Sequence, residues 1–95
     1  MTIDEQFQGF ERKYSALNRQ YKPGSEESQA YSFIVSGIDA GRIVETKQQR
    51  VSYLLLTIVG SVEDFESSRA REILRNAADE LANIIGLPLH NHWHR

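Results

Sequence analysis

Ninety-five residues are the scale of a single domain, and a chain of that length hides only about 60–65% of the surface its unfolded form would expose. Eleven Lys and Arg stand against 13 Asp and Glu, a net charge of −2, which excludes a strong global field for nucleic acid or an anionic membrane. The lack of cysteine excludes disulfides, thiolate zinc sites and a cysteine nucleophile; with an acidic N-terminus that has no basic, apolar leader pattern, it sets the expectation of a cytoplasmic protein.

The first element is the clearest. Ile3, Phe7, Phe10, Tyr14, Leu17 and Tyr21 recur at alternating spacings of four and three, one stripe on a helix and the pattern of a coiled-coil seam. Thr2 followed by Glu5 has the form of a capping box, and Pro23-Gly24 ends the segment, so a helix is predicted over 3–21.

Residues 25–60 read two ways. Ile34, Val35, Ile43, Val44, Val51, Thr57, Ile58 and Val59 are β-branched and Tyr31, Phe33 and Val35 alternate, which suits strands and an α+β fold, α-β-β-β-α with a small antiparallel sheet. A hairpin there would turn at Lys47-Gln48-Gln49-Arg50, four good helix formers and poor turn residues. The helical reading explains the punctuation better. Ser25 caps a helix with Glu26 and Glu27 in its first turn, and Gly37 closes it. Asp39 caps the next, in which Val44, Val51, Leu54, Leu55, Ile58 and Val62 keep helical spacing, and Gly60 ends or bends it. Gly41 inside that span counts against it by about 1 kcal/mol relative to Ala.

In the last segment Ala70, Ile73, Leu74, Ala77, Leu81, Ile84 and Ile85 share one face, and Gly86 and Pro88 supply the stop. Its start is open between Ser61 with Asp64 and Ser67 or Ser68. The expected fold is therefore all-α, a small bundle of about four helices formed by residues 1–95 as one domain.

The stripe on the first helix is core in its plainest reading and a self-association surface in its functional one. A homodimer whose interface includes Phe7, Phe10, Tyr14, Leu17 and Tyr21 is expected, with Trp93 as a further anchor for a partner. Two small basic groups stand out, Lys47 with Arg50, and Arg69 with Arg71 and Arg75; each is interrupted by acids such as Glu45, Glu66, Glu72 or Asp79, as on a solvated face. The tail carries His90, His92 and His94, spacing that could hold a transition metal, but no carboxylate lies close in sequence and no functional metal or cofactor is expected.

Catalytic templates fail in turn. Gly37 and Gly41 are not followed by the Lys of a phosphate loop, and there is no nucleophile elbow, zinc-protease helix or calcium loop, so an enzyme is not expected. The run from Tyr53 to Gly60 is too short to cross a bilayer. Glu26-Glu27-Ser28, Gly41, Lys47 and Leu54-Leu55 with Ile58 and Glu63 resemble small helical biofilm regulators of the AriR type, although the Lys47-to-Glu63 spacing departs from that pattern. Tyr21-Lys22-Pro23 with Tyr31 and Ile34 resembles phage proteins that sequester cyclic nucleotides, with the rest of that motif missing. Neither likeness transfers residues or function. The expected role is a small interaction or regulatory protein, of accessory or phage type, that binds another protein as a homodimer. The other class left open is a small-ligand (nucleotide) or nucleic-acid-binding module built on the arginines, nucleic acid being the less expected ligand.

Overall fold

Four helices follow from four local start signals. The computed structural model describes residues 2–43 and 46–87, and among them holds α1 (Ile3–Gln20), α2 (Glu26–Ala40), α3 (Lys47–Ser61) and α4 (Ser68–Ile85), with 3₁₀ turns at Gly41–Ile43 and Val62–Asp64 and no strand. The Thr2 hydroxyl accepts from the Glu5 amide at 3.1 Å while the Glu5 carboxylate reaches back to Thr2, a complete capping box. Ser25 and Ser67 cap α2 and α4 by accepting from the amides of Ser28 and Ala70, each at 3.1 Å. Gly86 closes α4 in the left-handed region at φ 77°, where only glycine sits without strain.

All four helices share one core. α1 contributes Phe7, Phe10 and Tyr14; α2 contributes Ala30, Tyr31, Ile34 and Ile38; α3 contributes Val51, Leu54, Leu55 and Ile58. α4 sends in Ile73, Leu74 and Leu81 between Ala70, Ala77, Ala78 and Ala82. Those alanines are small, so the neighbouring helices can approach the α4 backbone closely. Every helix packs on each of the other three. Burying one large side chain of this kind is worth about 1.5–3 kcal/mol, which is how a chain of this size closes a core without disulfides.

The bundle settles the middle of the chain against the sheet alternative: the β-branched Ile34, Val51 and Ile58 sit fully buried in helices, where packing outweighs their strand preference. Three punctuation marks are corrected. Gly37 does not end α2; it lies buried inside it, because a Cβ there would fall 2.5 Å from Leu54 Cδ1. Asp39 caps nothing, being within α2, and Thr46 caps α3 in a second capping box, with Gln49 as the reciprocal partner. α3 runs one residue past Gly60. The first helix ends at Gln20, and Ser67 proves to be the cap of the last. Trp93, His90, His92, His94 and Pro88 lie outside the described residues, as does Val44.

Candidate functional site

The aromatic stripe of α1 is spent on the protomer itself. Phe7 is 1% exposed, Phe10 4% and Tyr14 3%, while Leu17 and Tyr21 are half-buried against the same core. Rings follow one another from Phe7 to Phe10, Tyr14, Tyr31 and Tyr21, with centroids 4.4–6.1 Å apart. The Tyr14 hydroxyl donates to the Glu80 carboxylate of α4, which also takes Lys13. Burial first, then that hydrogen bond and the Glu80 charge, hold the Tyr14 hydroxyl far above the ordinary phenol range. The seam expected between two copies is thus covered by α2, α3 and α4 of one copy: four-three spacing serves either packing, and the chain supplies its own partners.

A different helix keeps a bare apolar face. On α3, Gln49, Tyr53, Leu56 and Gly60 form one outward stripe at spacings of four, three and four. Tyr53 is 45% exposed and Leu56 71%. Between Arg50 and Glu63 the sequence has no charged residue, so α3 itself places no charge on this face. Thr57 ties its own hydroxyl down on the Tyr53 carbonyl at 2.8 Å, and the Cβ position of Gly60 has nothing within 4 Å. The capping box at the start of α3 keeps the face neutral, since it uses Gln49 where that of α1 uses Glu5.

The two basic groups have opposite fates. Arg69, Arg71 and Arg75 are held along one side of α4: Arg69 by Glu72 at 2.8 Å and more distantly by Glu27, Arg71 by the Phe65 carbonyl at 2.8 Å and the Ser68 hydroxyl, Arg75 by Glu63 at 3.3 Å. They brace the start of α4 against its neighbours. Lys47 and Arg50 instead join cations from other elements. Both lie over the Phe7 ring, at 6.0 and 5.3 Å. The Arg50 side chain is only 11% exposed, bonds Glu11 of α1 at 3.2 Å, and leaves its Nε buried with no hydrogen-bond partner among the described residues.

In front of that pair opens a cleft of about 440 Å³ lined by Gln8, Glu11, Arg12, Ser15, Arg19, Arg42 and Lys47. Gln8, Arg12, Ser15 and Arg19 form the α1 wall, Arg42 comes from the Gly41–Ile43 turn, and Lys47 opens α3. Among the described residues Glu11 is the one acidic side chain in the lining, and it is already engaged, by Arg50 and by Arg42 at 3.7 Å. Arg42 takes a second carboxylate, Asp39, at 3.2 Å outside the cleft.

Arg12, Arg19 and Arg42 escape a reading of the basic groups along the sequence. The four-three-four spacing of Gln8, Arg12, Ser15 and Arg19 marks a polar face and could have exposed the first two; nothing local could have brought Arg42 to them, because its place depends on the turn between α2 and α3. Among the described residues no helix is long and apolar enough to cross a membrane. No protein-family model, no curated protein and no solved structure matches the chain.

Proposed function

We propose that this protein works by binding protein rather than by chemistry, as a small interaction or regulatory protein, and that the outer face of α3 is its binding surface. The observation that carries this reading is the uncharged stripe from Gln49 to Gly60, with Leu56 the most exposed large apolar side chain among the described residues. The other outer faces are polar: α1 shows Asp4, Glu5, Arg12, Lys13 and Arg19 to solvent, α4 Arg69 and Glu72, and α2, though uncharged from Ser28 to Ile38, exposes Gln29, Ser32 and Ser36 there. An apolar face left bare on an otherwise polar domain marks a contact surface.

A second copy of the chain is the occupant the geometry favours. An antiparallel pairing centred between positions 54 and 55 sets Tyr53 opposite Leu56 of the second copy and Gln49 opposite its Gly60. Two apolar side chains meet at the first level, a long polar one meets a glycine at the second, and the pairing buries no charged side chain of α3. A helix of this length is about 22 Å long and about 10 Å across, a footprint well below the roughly 800 Å² per partner of a standard interface. Association is therefore expected in the micromolar range. The dimer, with the outer faces of α1 and α4 still open, is the form that would engage a further protein.

Analytical ultracentrifugation tests it. The average mass should rise from monomer toward dimer as concentration increases, and Leu56→Glu should hold it at monomer while leaving the helical spectrum unchanged. A wild-type monomer throughout the micromolar range would overturn self-association through α3.

A further inference from the structure

We propose that the cleft between α1, the Gly41–Ile43 turn and the start of α3 binds an oligophosphate group, two or more linked phosphates carrying several negative charges. The proposal is independent of the α3 interface and rests on different residues.

Charge comes first. Arg12, Arg19, Arg42 and Lys47 line the cleft, Arg50 lies behind them, and the carboxylates that answer these five cations among the described residues are Glu11 and Asp39. Arg12 and Arg19 have no carboxylate within ion-pair distance among the described residues, and both are exposed. A local excess of positive charge in a chain of net charge −2 is not a consequence of composition. It arises because the fold brings three elements together there, and like charges gathered this way repel unless an anion joins them.

Chemistry narrows the ligand. Three of the four lining cations are guanidiniums, planar forks that match the oxygens of phosphate two at a time, and Lys47 adds a compact point charge. Gln8 and Ser15 offer neutral polar groups between them. A cleft of about 440 Å³ is of small-molecule size, larger than a single phosphate needs. Among the described residues no aromatic side chain lines it; the Phe7 ring lies beneath Lys47 and Arg50, itself 1% exposed and closed to a ligand. None of these lining side chains offers a ring for a nucleobase to stack on, so they read the phosphates rather than what the phosphates are attached to.

Isothermal titration of the full chain with inorganic tripolyphosphate decides the matter, repeated with a nucleoside triphosphate. One equivalent should bind per chain, the two ligands within about threefold of each other, with affinity falling steeply between about 50 and about 200 mM salt. Arg12→Gln with Arg19→Gln should weaken binding at least about tenfold, the loss of two charge-assisted contacts. Both positions are exposed, and an unchanged melting temperature checks that the variant folds. Arg69→Gln with Arg71→Gln removes the same net charge from the braced group on α4 and should leave affinity within about twofold. No saturable binding of tripolyphosphate would overturn the site, as would equal losses in the two double variants, which would reduce the effect to bulk charge. A nucleoside triphosphate bound more than about tenfold tighter than tripolyphosphate would overturn the phosphate-only reading.

Discussion

α1 and α3 are both started by capping boxes and both carry large apolar side chains at helical spacing, yet they end up with opposite outsides. α1 places its rings inward and covers its back with charge; α3 buries Val51, Leu54, Leu55 and Ile58 and still has Tyr53 and Leu56 to spare on its outer face. The difference lies in what the residues between the core positions are. On α1 they are mostly Asp, Glu, Arg, Lys, Asn and Gln, which solvate the helix wherever it is not packed. On the outer side of α3 they include Ser, Tyr, Leu, Thr and Gly, which leave Tyr53 and Leu56 bare. In this fold the apolar stripe of α1 is core, and the proposed contact lies on the side of α3 that faces away from its own stripe.

The largest expected effect is on the α1 side. Phe7 is 1% exposed and lies under Lys47 and Arg50 as well as in the core, so Phe7→Ala should cost about 3–5 kcal/mol in urea unfolding followed by far-UV circular dichroism. A loss below about 1 kcal/mol would mean that the stripe is not core, and the contrast with α3 would collapse.

Two glycines sharpen the contrast from within α2 and α3. Gly37 faces Leu54, whose methyl would sit 2.5 Å from an added Cβ and is itself shut in the core, so Gly37→Ala should destabilise by about 1–3 kcal/mol despite the better helix former. Gly60 has open space where its Cβ would stand, and Gly60→Ala should stabilise the monomer by up to about 1 kcal/mol. Opposite signs in the same unfolding assay are the expected outcome; two stabilising changes would show that Leu54 can move aside.

How much of this was written locally is clearest at the same positions. Thr2 with Glu5, Ser25 with its two acids, and Gly86 announce helix ends through their immediate neighbours, so those ends were legible. Thr46 with Gln49 is an equally local signal, with Asp39 upstream as a competing cap residue that the fold keeps inside α2. Gly37 was not legible in this way: its role is set by Leu54 on another helix, and a glycine that permits close approach looks in sequence like one that stops a helix. The cleft shows the same limit. Lys47 and Arg50 could be picked out, but their companions Arg12, Arg19 and Arg42 join them only through the packing of α1 on α3 and the turn before it.

Tyr14 gives the α1 side a pH signature. Its hydroxyl is held in the protonated form above the ordinary phenol range, by burial first and then by Glu80, so the folded state binds this proton more tightly than the unfolded one. The stability it contributes is fully present below the unfolded tyrosine value of about 10 and is lost as pH rises beyond it. Tyr14→Phe should cost about 1–2 kcal/mol at neutral pH, through the lost hydrogen bond to Glu80, and should flatten the fall of stability above about pH 10. Denaturant midpoints measured at neutral and alkaline pH give both numbers, and an equally steep alkaline fall in the variant would assign it to another tyrosine.

The smallest effect on the folded monomer is expected at Leu56, and its smallness is what makes it informative. The side chain is 71% exposed in a single copy, so Leu56→Glu removes little buried area and should change monomer stability by less than about 0.5 kcal/mol. If two copies pair through α3, the wild type gains stability by mass action, and its melting temperature should climb as protein concentration is raised. The variant should lose that climb, because a carboxylate set against Tyr53 of a second copy would be desolvated with no cation on the face to receive it. Melting curves at low and high protein concentration therefore separate two explanations of the bare face. Parallel, concentration-independent curves for both proteins would leave α3 an exposed surface without self-recognition, whereas a climb in the wild type alone would tie Leu56 to the contact between copies.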